Sequence, residues 1–214
     1  MIKQRILYVG IGGSGIDLGI ELDSALKREI CGLDGNALAQ KGMPYKTNEL
    51  PPFVQQVYID FAAAAVAGVA KQLVGLNART ITNIIPPIQN YAGVANALRV
   101  HNLNEVQPWL PGAANEPHVN PLSAGAGQYP TVGRAAMFQS IQGQGLDQAI
   151  LNPIRDAIAD LSSSMGDLMA YTSNSHSNNV AVYVGFSASG GTGAGLFYDV
   201  LMMLIDELTN HMAE

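Results

Sequence analysis

The chain has 214 residues, 48% of them hydrophobic and only 13% charged, with a net charge of −6 and an isoelectric point near 5.1. That length supports one or two domains around a core that needs no disulfide or metal, and that hydrophobic share excludes a disordered chain. With no run of Lys or Arg, the acidic balance argues against nucleic acid and anionic membranes as partners, and the single Cys31 suggests a reducing, cytoplasmic setting.

Ile6 to Val9 is a short apolar run without polar interruption, as a strand buried on both faces requires. Lys3 and Arg5 before it imitate a signal peptide, but the run dissolves into Gly10-Ile11-Gly12-Gly13-Ser14-Gly15 with no small-x-small cleavage pattern. Ile16, Ile20, Leu26 and Ile30 then recur at helical spacing, with Asp23 and Lys27 as an i,i+4 pair on the solvent side. After Pro51-Pro52, Val57-Tyr58-Ile59 reads as a second strand from which Asp60 emerges. Residues 61–100 read as mainly helical, first Ala-rich and, after Pro86-Pro87, from about Ile88 to Val100. The Phe61 to Ala70 run is about half the ~20 residues a membrane span needs, so it is expected in a core or interface. Residues 102–128 carry Pro108, Pro111, Pro117 and Pro121 and predict a long surface loop, anchored by Trp109. Asn152-Pro153 predicts a helix start, followed by Ile154, Ala157, Ile158, Leu161, Met165 and Leu168 along one face. Val180 to Phe186 is the clearest strand, and it runs into Ser189-Gly190-Gly191-Thr192-Gly193-Ala194-Gly195 and a helix marked by Leu196, Val200, Met203, Leu204 and Leu208. The alternation predicts an α/β fold with a Rossmann-like parallel sheet and helices on both faces, three layers in all, whose ligands bind at the carboxyl ends of the strands.

A strand, glycine loop, helix unit thus occurs twice. Such a loop brings backbone N–H groups close to an anion, and the helix N-terminus adds favourable partial positive charge. Neither loop carries the lysine of a Walker-type phosphate loop. The first does match G-x-G-x-x-G through Gly10, Gly12 and Gly15, with Asp34 about 20 residues on as a ribose ligand, so an NAD(P)-dependent oxidoreductase stays open, although it leaves the second loop unexplained. A structural module with a degenerate site is a third class.

Ser189 to Gly195 resembles the [SAG]-G-G-T-G-[SA]-G signature of the tubulin and FtsZ superfamily, placed at a strand end and helix start as that family places it. Gly12-Gly13-Ser14-Gly15 then resembles the family's first nucleotide loop, and Gly125-Ala126-Gly127-Gln128-Tyr129-Pro130-Thr131-Val132-Gly133-Arg134 is similar to the FtsZ-type γ-phosphate loop, G-A-G-x-x-P-x-V-G-R. The resemblance covers residues 1–214 as the N-terminal nucleotide-binding half of such a fold. It implies GTP or GDP as ligand. Gly12, Gly13, Ser14 and Gly15 would meet phosphates; Ala126, Gly127 and Gln128 would face the γ-phosphate; Gly190, Gly191, Thr192, Gly193 and Ala194 would hold the α and β phosphates. Asp17 falls where relatives carry an Asn or Gln near the base, and reads equally well as an exposed first-turn acid favoured by the helix dipole. Asp60 matches an acid near bound Mg in tubulins, reached through water, although the second acid of that site is Ala62 here. The family's catalytic loop lies in a C-terminal half with no counterpart before Glu214, so little or no hydrolysis by this chain alone is expected. Partners are expected to be a second copy or a C-terminal region of a larger, polymerising chain. The stretch from Asp60 to Gly125 is longer than FtsZ provides. A helical and loop insertion over 61–122 therefore suggests a divergent bacterial branch.

His101, His118, His176 and His211 lack zinc spacing, and no serine after the last strand fits G-x-S-x-G. Asp206 and Glu207 read as the wet face of the last helix, and Met202, Met203 and Met212 as core filling. The shortage of charge predicts an apolar face exposed along Leu196 to Met212 and self-association there.

Overall fold

The computed structural model describes residues 2–72, 78–81, 90–100, 104–118, 121–144, 147–173 and 175–212. Its centre is a parallel sheet of four strands in the order β3-β2-β1-β4: β1 (Arg5–Ile11), β2 (Val54–Ile59), β3 (Ala78–Ile81) and β4 (Val180–Phe186). β1 is paired on both sides, Ile6 to Ile11 with Val54 to Ile59 and Arg5 to Ile11 with Val180 to Phe186. Alternate residues of β1 point to opposite faces. Leu7, Val9 and Ile11 join one core with side chains of α4 (Tyr91–Val100), α5 (Pro130–Gln144), α6 (Asp147–Ser163) and α8 (Gly191–Met212). On the other face, Tyr8 packs with Ile16 of α1 (Gly12–Cys31) and with Val66 and Val69 of α3 (Ala63–Gln72). Ile6 meets Leu26 and Ile30 of α1, Leu38 of α2 (Ala37–Gln40) and Leu168 and Tyr171 of α7 (Met165–Thr172). The α/β, Rossmann-like, three-layer expectation therefore holds.

Several elements differ from their sequence-based prediction, each for a local reason. The Asp23–Lys27 pair, expected in solvent, is largely buried: Lys27 Nζ lies 2.6 Å from Asp23 Oδ2. Gln56 of β2 donates to Asp23 Oδ1 at 3.1 Å, and the Tyr58 hydroxyl donates to Gln56 Oε1 at 2.6 Å. This polar chain satisfies the buried Gln56, and Gln55 donates to the Pro52 carbonyl at 2.9 Å and accepts from Arg79, so β2 runs through two buried glutamines because buried polar groups persist where they are hydrogen-bonded. β3 lies within the stretch expected to be helical. It is held by pairing with β2, by an Arg79 hydrogen bond to Gln55, and by an Arg79–Asp160 bridge of 2.5 Å to α6. Helix α6 begins at Asp147, ahead of the expected Asn152-Pro153 start, with Pro153 inside it, and the predicted continuous helix breaks at Ser164, whose hydroxyl donates to the Leu161 carbonyl at 2.7 Å. Pro86-Pro87, Ile88 and His101 lie outside the described residues, as does the Met212 side chain. In the 104–118 stretch Trp109 is the expected anchor. Its ring lies 5.5 Å from that of Phe138, its Nε1 donates to the Glu105 carbonyl at 2.7 Å, and the Arg134 guanidinium stands 4.8 Å from its centroid.

Candidate functional site

At the carboxyl end of the sheet a small polar cleft of about 90 Å³ is lined by Ile11, Gly12, Gly13, Ser14, Gly127, Ser187, Gly190, Gly191, Thr192 and Gly193. Each comes from a segment that leaves a strand and turns into a helix, or from the loop ahead of α5. The glycines do not merely precede their helices, as the sequence suggested: α1 starts at Gly12 and α8 at Gly191. Neither helix has an acid in its first turn, and α1 has no side-chain cap. The first N–H groups of a helix have no intrahelical partner, so two N-termini of one polarity converge on this cleft. No Lys or Arg is among its lining residues. Any anion here is met by backbone donors and helix dipoles.

The close approach explains the composition. Gly12 has φ of +72°, and a Cβ on it would stand 3.0 Å from the Gly193 nitrogen, a conformation and a distance that L side chains rarely tolerate. A Cβ on Gly191 would collide with the Ala126 carbonyl, and the Gly191 N–H donates to the Gly127 carbonyl at 2.7 Å. The three motifs read from the sequence, far apart in the chain, thus touch one another around one opening.

Not every expected residue lines it. Gly12, Gly13, Ser14, Gly127, Gly190, Gly191, Thr192 and Gly193 do. Gly15 is buried where a Cβ would strike the Gly185 carbonyl of β4, so its role is close helix–strand packing. Ala126 is buried behind Gly127, Gln128 is exposed beside it, and Ala194 follows inside the first turn of α8. Asp17 is exposed, but α1 begins early enough to put it in the second turn, where the dipole has faded. Asp34 is displaced altogether. It follows the far end of the 20-residue α1, about 30 Å from the cleft, and accepts from the Asn36 N–H and the Gln40 side chain at 3.1 Å each. The ribose ligand of the dinucleotide alternative is therefore lost. Ile11 and Ser187 were missed. Their signal was adjacency to the two glycine loops, and Ser187 Oγ accepts from the Ser189 N–H at 3.3 Å.

Asp60 stands behind the cleft and is 4% exposed. Its carboxylate accepts from the Ala62 N–H at 3.2 Å. Burial holds its carboxyl above the ordinary carboxylate range, against the neighbouring Ala62 and Phe61 backbone and the Thr192 side chain, which act to lower it. Among the described residues no group of three His, Cys, Asp or Glu side chains could hold a metal.

A family model described as tubulin-like matches residues 7–213. The chain belongs to the tubulin-like family. No curated protein and no solved structure matches it. The match spans β1 from Leu7 onward, the other three strands of the sheet and all three loops of the cleft. Among the described residues no helix is long and apolar enough to cross a membrane.

Proposed function

We propose that this tubulin-like chain binds the phosphates of a guanine nucleotide, GTP or GDP, in the cleft between the N-termini of α1 and α8, as part of a larger assembling protein in the cytoplasm. The observation that carries this reading is the convergence of two glycine-initiated helix N-termini and the Gly127 loop on one opening without a side-chain cation. A cleft of about 90 Å³ is well below the roughly 300–1,000 Å³ of pockets that enclose a whole ligand. It is matched to a phosphate chain, with ribose and base held outside it. Family membership supports guanine as the base, and the displaced Asp34 removes the support for NAD(P).

Titration calorimetry of the full chain with GTP, GDP and NADH tests the reading. Binding of GTP and GDP but not NADH is expected. Gly13 is the informative position, because it lines the cleft and a Cβ there meets nothing within 4 Å. Gly13→Trp is expected to leave the melting temperature unchanged and to abolish nucleotide binding. A chain that ignores both guanine nucleotides, and whose oligomers are indifferent to GTP, would instead be an interaction module with a degenerate site.

A further inference from the structure

We infer that Tyr8 is a positioning residue for the phosphate cradle, holding the first turn of α1 against the sheet; the inference rests on the cradle binding nucleotide phosphates. Tyr8 lies in the middle of β1, on the face covered by α1 and α3. Its hydroxyl donates to the Gly15 carbonyl at 2.6 Å in a buried hydrogen bond. Gly15 closes the first turn of a helix whose Gly12, Gly13 and Ser14 line the cleft. That helix has no side-chain cap, so the anchor for its first turn comes from the strand beneath it.

Two glycines make room for this reach. Gly185 of β4 is two residues beyond Tyr183, the partner of Tyr8, and therefore shares its face of the sheet. A Cβ on Gly185 would collide with the Tyr8 hydroxyl. A Cβ on Gly19, one turn beyond Gly15, would stand 2.6 Å from Tyr8 Cε1 and would collide with Tyr58 Cε1. The Tyr8 ring is thus wedged between β4 and α1 and leans toward the carboxyl end of the sheet, where the cleft opens. Tyr58, its ring centroid 6.0 Å from that of Tyr8, continues the support through Gln56 to Asp23. α1 is pinned at two heights, and the pin at Gly15 fixes the rotation of the turn that presents Gly12, Gly13 and Ser14 to a phosphate.

The test is GDP affinity of the full chain, measured by calorimetry, with thermal melts on the same samples. Tyr8→Phe removes one oxygen and keeps the ring, and is expected to weaken GDP binding about fivefold. Gly185→Ala lies outside the cleft lining, displaces the same hydroxyl from β4, and is expected to weaken binding at least as much. The double variant Tyr8→Phe with Gly185→Ala should bind no more weakly than Gly185→Ala alone, since both changes cut the same bond. Val9→Ala separates positioning from stability, because Val9 belongs to the core on the opposite face of the sheet. It is expected to lower the melting temperature by more than Tyr8→Phe does while binding GDP like wild type. If Gly185→Ala does not fold, Tyr8→Phe against Val9→Ala decides the matter. Wild-type affinity in Tyr8→Phe, or affinity losses that simply follow melting temperature with Val9→Ala the weaker binder, overturns the inference. Absence of GDP binding by the wild-type chain overturns the cradle reading itself.

Discussion

Gly191 is the residue on which the cleft turns, because the loop ahead of α5 rests on it. Adding a Cβ pushes against the Ala126 carbonyl, and overpacking of this kind costs about 1–3 kcal/mol. The chain can relieve it by displacing residues 126–128. Gly191→Ala is therefore expected to lower GTP affinity more than GDP affinity, read by calorimetry with both nucleotides; equal losses would contradict placing that loop at the γ-phosphate. Glycines of this kind were legible in the sequence, since few other residues explain a repeated strand, glycine, helix pattern. The acids were not. Asp34, Asp17 and Asp60 all sat at plausible offsets from a motif, yet their surroundings differ completely: a surface turn with its own hydrogen bonds, the exposed second turn of a helix, and a buried position just past the end of β2. A carboxylate's role is set by the groups facing it, and those come from parts of the chain that local spacing does not reveal.

At the scale of elements, the same limit separates what was predicted from what was not. β1, β4 and the two glycine-initiated helices were legible because each carries an uninterrupted apolar pattern. β3 contains Arg79 and Thr80, and its strand character comes from pairing and from partners on β2 and α6. Glu207 was read as solvent-facing on α8, but it is 3% exposed and receives Arg155 of α6 through Nε at 2.9 Å and Nη2 at 2.7 Å. His211 adds a contact at 3.3 Å. Arg155 chiefly holds this carboxyl below its ordinary value of 4.5. The folded chain thus binds fewer protons here than the unfolded one, so the stabilisation is present above that value and lost as pH falls through the lower, folded one. Glu207→Gln is expected to lower the melting temperature by about 2–4 °C at neutral pH, the equivalent of about 1 kcal/mol for a partly exposed bidentate pair. The difference from wild type should shrink as melts are run into acid; a constant offset would mean that the clasp is not ionic.

For the whole molecule, the low charge finds its place on one side. Leu196, Val200 and Leu204 of α8 are buried, but Tyr198, Met202 and Ile205 are 54%, 48% and 49% exposed in a stripe at helical spacing. Met202 is thus a surface residue and not core filling. β4 next to it is an edge strand carrying exposed Tyr183 and Phe186, and edge strands of this kind invite pairing. Concentration-dependent self-association is expected in analytical ultracentrifugation, with the combined Met202→Glu and Ile205→Glu variant shifted toward monomer. A wild-type chain that sediments as monomer throughout would remove the stripe as a contact. The pairing of β1 carries a consequence for synthesis. The strand at the middle of the sheet is made first, while its β4 neighbour ends about 175 residues later, a wait of roughly 9–35 s at ordinary rates of translation. During that interval one edge of a strand destined to be buried at every position has no permanent neighbour. The nascent chain therefore depends on whatever shields it at the ribosome until Val180 to Phe186 emerge.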